Sequence, residues 1–187
     1  MDISLRNTVK KQLLWVAMVA ISMFFASLLS AFIVEKADVG NWNEFILPNY
    51  FVLSTVAIII SSLLLLFVKQ KLRKQESVFS LVFAVLILGI LFSYFQIKGW
   101  QQLTNQGIYL TGVGSNISGS FLYVVTLTHL LHLLGGLIAL FISTIKSKRN
   151  LYSIDNYLGL ELTSIYWHFL TVLWITIFFF LKSSAIN

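Results

Sequence analysis

Every histidine of this sequence, His129, His132 and His168, falls inside a long apolar run, and Glu161 stands at the head of the last one. Imidazoles and carboxylates hold metals, ligate haem and relay protons, and in an apolar medium they are costly unless they face partners. His129 and His132 are three residues apart and share a face if their run is helical. Glu161, Ser164, His168 and Thr171 follow one another at intervals of three, four and three, which makes a polar stripe along one side of an otherwise apolar segment. Two chemistries fit these residue types: a metal or haem site, or neutral histidines hydrogen-bonded across a bundle. Cysteine chemistry is excluded, because the sequence contains no cysteine to form a disulfide, a thiolate ligand or a nucleophile.

The elements that carry these residues decide between the two. Of the 187 residues, 58% are hydrophobic and 11% charged, against about 25% charged in an average soluble domain. A soluble core cannot absorb that much apolar surface. A helix crossing the hydrocarbon layer needs about 20 apolar residues at 1.5 Å each. Five segments qualify: Leu13 to Val34, Phe51 to Val68, Val78 to Ile97, Phe121 to Ile142 and Leu162 to Leu181, none with a Lys, Arg, Asp or Glu. The expected fold is all-α, a polytopic membrane protein built as a bundle of five transmembrane helices. No linker-like tract or fixed-period repeat divides residues 1–187, so a single domain is expected. The 22 residues of the first span exceed the core of a signal peptide, about 7 to 15 residues, and it reads as a retained helix.

Orientation follows from Lys and Arg in the connections. The N-terminus, the segment after span two and the segment after span four carry three, four and three; the alternate segments carry Lys36, Lys98 and Lys182, one each. The N-terminus is therefore expected in the cytoplasm and the C-terminus outside. The net charge of +6 resides in these connections, where it suits anionic lipid headgroups and not nucleic acid.

On that topology span four runs inward and span five outward. His132 then lies about 15 Å from the inner end, His129 about 20 Å and His168 about 8 Å, with Glu161 at the boundary. A mismatch of about 7 Å between His132 and His168 disfavours shared coordination, so no metal site is expected. The four residues read as structural or lipid-contact groups, with the stripe of span five meeting span four. Small residues at four-residue spacing, Ser22, Ala26 and Ser30, Gly89 and Ser93, Gly135 and Ala139, are candidates for close helix contacts. Trp42 and Trp100 read as interfacial anchors and Trp167 and Trp174 as packing residues. The glycine-rich segment from Lys98 to Ser120 reads as a flexible outer connection, with partner docking as the other reading.

The run Thr128-His129-Leu130-Leu131-His132-Leu133-Leu134-Gly135 resembles the His-x-x-His-x-x-Gly pattern of cytochrome c oxidase subunit 3. Glu161 to Phe169 resembles that family's Glu-x-x-x-x-Tyr-Trp-His-Phe block, with Trp174 following, and Met23-Phe24-Phe25-Ala26 with Ser30 and Ala31 matches more loosely. The family has seven-helix and five-helix forms, and this chain resembles the shorter bacterial one. Two family carboxylates are missing: Ile21 stands two residues before the Met-Phe-Phe block and Thr171 three after Tyr-Trp-His.

The resemblance implies an accessory, non-redox subunit of a haem-copper terminal oxidase, in a multi-subunit complex of the bacterial cytoplasmic (inner) membrane. Such an oxidase reduces O2 to water, pumps protons and serves the aerobic respiratory chain. The implied partners are oxidase subunits I and II, which hold the haems and copper, with membrane lipids and a respiratory supercomplex as further associations. No cofactor is expected in this chain; bound phospholipid is a further implication, and the family's lipid cleft is formed partly by helices that the short form lacks. The alternatives are the same subunit of a quinol oxidase, a nitric oxide reductase accessory protein, or, from a different class, a small transporter or channel. The spans lack the paired charges, inverted repeats and broken helices of the last.

Overall fold

The computed structural model describes residues 3–37, 46–112, 115–153 and 156–184. They form six helices: α1 (Ile3–Ala37), α2 (Asn49–Leu66), α3 (Val68–Arg73), α4 (Phe79–Asn105), α5 (Ile117–Lys148) and α6 (Leu158–Ser184). Five of the helical segments, α2 and α3 counted together, are long and apolar enough to cross a membrane. Four of them contain an expected span and overrun it at both ends; the third begins one residue inside its expected span, at Phe79, and overruns it only toward Asn105. Arg6, Lys10 and Lys11 lie on α1, whose 35 residues extend about 52 Å, well beyond a hydrocarbon layer of about 30 Å.

The helix ends have local causes. Pro48 precedes α2, where its missing N–H costs nothing. The Asn116 side chain caps α5 by accepting from Gly119 N at 2.7 Å. Three helices stop on a residue in the left-handed region: Gln75, Gly107 and Asn150, at φ of 56°, 78° and 52°. In each case the next N–H turns back to the carbonyl five residues earlier, as in Glu76 to Lys71, Ile108 to Leu103 and Leu151 to Lys146.

α2, α4, α5 and α6 form a closed ring in which each helix packs against two others. Its core holds Trp167, Trp174, Phe92, Phe51, Ile58, Leu133 and His129, all with almost no exposed surface. α1 lies outside this ring, against α5 and α6. Its buried residues are Met18, Phe25 and Phe32, seven apart, with Ile21 and Leu28 half-buried between them and Lys11, Leu14 and Glu35 half-buried to either side. That 3,4 alternation is the seam of a helix packed at a shallow crossing angle.

Three expectations change here. Ser22, Ala26 and Ser30 are exposed, so the small-residue stripe of α1 makes no contact face within the chain. On α5 the glycine at the contact is Gly136, which is buried, and not Gly135, which is exposed. The segment from Lys98 to Ser120 is also less of a loop than expected, since helix covers its first eight and last four residues. Its middle is anchored: Tyr123 Oη donates to Ile108 O at 3.0 Å, and Ser120 Oγ donates to Leu110 O at 2.7 Å.

Candidate functional site

The polar residues of the ring form a ladder of hydrogen bonds between helices. Trp167 Nε1 donates to Ser61 Oγ at 2.8 Å and Trp174 Nε1 to Thr55 Oγ1 at 2.9 Å, both joining α6 to α2. Gln96 Nε2 donates to Ser54 Oγ at 2.8 Å, joining α4 to α2, and Trp100 Nε1 to Thr126 Oγ1 at 3.0 Å, joining α4 to α5. Each hydroxyl spends its own proton on its helix, Ser54 and Thr55 on Phe51 O, Ser61 on Ile58 O and Thr126 on Leu122 O. Its lone pairs are thereby left for the neighbouring helix. This division lets a small hydroxyl satisfy an indole in a medium that offers no water.

The indole of Trp167 needs room, and glycine supplies it. A Cβ at Gly89 would come within 2.6 Å of Trp167 Cη2, and one at Gly136 within 3.1 Å of its Cε3. Gly89 was legible as a contact residue from the sequence; its partner, the indole of Trp167, was not. Trp100, expected as an interfacial anchor, serves in the structure as a ladder member and half-buried contact. Trp42 lies outside the described residues.

The three histidines face three environments. His129 is fully buried on α5, with its ring centroid 5.0 Å from Trp174, 5.9 Å from Phe92 and 6.4 Å from Phe25; neither ring nitrogen has a hydrogen-bond partner among the described residues, so the bond expected across the bundle is not made there. His132, one turn on, engages its own helix through Nδ1 and Thr128 O at 2.8 Å and packs on Phe25 of α1 at 5.7 Å. His168 is half-buried on α6, with Ser62 Oγ on α2 at 2.6 Å from Nδ1 and Ser164 Oγ at 3.3 Å from Nε2. Glu161 is elsewhere again: its Oε1 accepts from Lys11 Nζ on α1 at 2.9 Å. A metal needs converging ligands, and these four diverge; no group of three or more His, Cys, Asp or Glu converges among the described residues.

The stripe on α6 therefore does not meet span four, as its spacing had led us to expect. Glu161 reaches α1, His168 reaches α2, and Thr171 turns back on Trp167 O at 3.0 Å. The residues of α6 that meet α5 include Thr163, opposite Ser143 at 3.3 Å, Tyr166, whose Oη donates to His132 O at 3.1 Å, Trp167 and Leu170 at Gly136, and Trp174 against His129. A helix has room for several faces, and a four-residue repeat names one without saying which neighbour it serves. Ser54, Thr55, Ser61 and Ser62 of span two were not singled out at all. Their signal was present, two hydroxyl pairs seven residues apart on one face.

Against known proteins, the family model described as cytochrome c oxidase subunit III matches residues 6–184. A probable cytochrome c oxidase subunit 3 of Nocardia farcinica is 29% identical over 162 residues, 83% of this chain and 78% of the relative. A probable quinol oxidase subunit 3 of Staphylococcus saprophyticus is 28% identical over 171 residues, 88% of this chain and 83% of the relative. A cytochrome c oxidase subunit 3 of Rhipicephalus sanguineus is 34% identical over 96 residues, 51% of this chain but only 35% of the relative.

Proposed function

As this chain belongs to the cytochrome c oxidase subunit III family and so is a subunit of haem-copper oxidases, we propose that its own work is support without redox chemistry. It packs against the catalytic subunit in the bacterial inner membrane, N-terminus inward, and keeps that subunit in shape while O2 is reduced and protons are pumped. The haems and copper belong to the partner subunits. The chain's side chains do not fit them: it has three histidines and no cysteine, and His132 and His168 already spend ring nitrogens on Thr128 O and on Ser62 and Ser164.

The observation that carries the reading is the ladder. Trp167, Trp174, Gln96 and Trp100 tie α2, α4, α5 and α6 into one body through short polar contacts. Such contacts order a membrane bundle that gains little from the hydrophobic effect. His132, His168 and Glu161 contribute to the same end, Glu161 and His132 on the α1 side and His168 on the α2 side, while His129 contributes ring packing against Trp174 and Phe92.

The test is the oxidase purified through a tag on this chain, its subunits identified by mass and its haems by absorbance. A Trp174→Phe complex is expected to keep its haem spectra and initial rate and to lose activity sooner during turnover. Altered haem spectra in that complex, or haem bound stoichiometrically to this chain alone, would refute a supporting role. The electron donor has two candidates, because the cytochrome c oxidase and quinol oxidase relatives match almost equally, at 29% and 28% identity. Oxygen uptake by the tagged complex with each donor separates them.

A further inference from the structure

Two cavities adjoin at the end of the bundle where the N-terminal part of α1, α3 and the α5–α6 connection lie, and Glu76 lines both. The larger, about 500 Å³, lies between the α3–α4 turn and the end of α5, and Gln75, Ser77, Ser147, Asn150, Tyr152 and Ser153 supply its polar lining. The smaller, about 270 Å³, has Lys71 and Lys74 beside Phe67 and Leu81. Ser147 is only 3% exposed, and its Oγ has no hydrogen-bond partner among the described residues. It differs in this from the buried hydroxyls of the ladder, which all donate to their own helix. The segments 69–77 and 143–161 that flank the cavities carry seven of the 13 Lys and Arg residues.

We propose that this double cavity binds a phosphoglycerol group, a phosphodiester bearing a hydroxyl-rich head. Lys71 and Lys74 take the phosphate, and the exposed ring of Phe67 with Leu81 beside it offers an apolar wall running toward the membrane. The head enters the larger cavity, where neutral amides and hydroxyls match a polyol. Glu76, 3.7 Å from Lys71 Nζ, accepts hydroxyl protons there. A bare phosphate in the larger cavity would meet that carboxylate instead. Desolvation pushes the Tyr152 phenol above its ordinary value, opposed by its contact with Ser143, so it remains a neutral donor. The site is built from the α3–α4 and α5–α6 connections, so it needs none of the helices that the five-helix form lacks. Two sources carry this chemistry: a glycerol-headed membrane lipid and a soluble glycerol phosphate.

The test uses the intact oxidase complex in mild detergent, with lipid retention read by native mass spectrometry. Complexes are wild type, Lys71→Ala with Lys74→Ala, and Ser147→Ala, challenged with phosphatidylglycerol, phosphatidylethanolamine and sn-glycerol 3-phosphate. The double variant is expected to retain one fewer phosphatidylglycerol per complex. Ser147→Ala, which removes no existing hydrogen bond, is expected to lower the preference for glycerol over ethanolamine about two- to tenfold. Displacement of the lipid by sn-glycerol 3-phosphate identifies the soluble source, and retention against it identifies the lipid. Equal retention and equal preference in all three complexes would overturn the proposal.

Discussion

The four-helix ring and α1 are both apolar and both long enough to cross a membrane, but they are held by different means. The ring helices bury between 33% and 44% of their most apolar stretch within the chain, and α1 only 17%. Indole-to-hydroxyl bonds and glycine contacts pin the ring in its interior. α1 rests on a seam of Met18, Phe25 and Phe32 and is pinned toward its two ends, by Lys11 to Glu161 and by Lys36 Nζ to Ser184 O at 3.4 Å. In lipid, apolar side chains gain little by leaving one apolar neighbour for another, so interior polar bonds and close backbone contacts decide which helices cohere. The ring is therefore the unit expected to unfold cooperatively, and α1 the helix expected to move first.

Trp167→Ala is the severest way to test that difference. It removes one of the two buried indoles of the ring and the donor that Ser61 Oγ accepts from, and a loss of about 3–5 kcal/mol is expected in reversible unfolding in detergent. A loss confined to α1 would break the comparison. Gly89→Ala places a methyl group against Trp167 and Leu137, and overpacking of this kind is expected to cost about 1–3 kcal/mol in the same measurement. Trp174→Phe keeps the ring volume approximately and removes the N–H that serves Thr55. A cost of about 0.6–1.5 kcal/mol is expected, in keeping with single interhelical bonds in membranes. Glu161→Gln sharpens the other side of the comparison. Its pair with Lys11 is partly exposed, so the cost should stay below about 1 kcal/mol. It should appear as faster disulfide trapping between cysteines placed on α1 and on α2, without a change in ring unfolding. Loss of the ring transition in that variant would show α1 to be integral to it.

The sequence by itself determined the number of spans, because stretches of about 20 uncharged residues have no other stable form in lipid. It also placed the positive charge toward one end, and the fold brings those segments together there, as the Lys11 to Glu161 contact illustrates. The motifs around His129, His132 and Glu161 to Phe169 pointed to the family that the match over residues 6–184 then established. Tertiary structure alone decided the neighbours. Gly136 and not Gly135 meets Trp167, the α6 stripe divides between α1 and α2, and Ser22, Ala26 and Ser30 face outward. The physical reason is the solvent. In water, apolar periodicity marks the inward face of a helix, whereas in a bilayer both faces are apolar. The inward face is then set by which small residues and hydroxyls find a partner, a property of helix pairs that no single segment encodes.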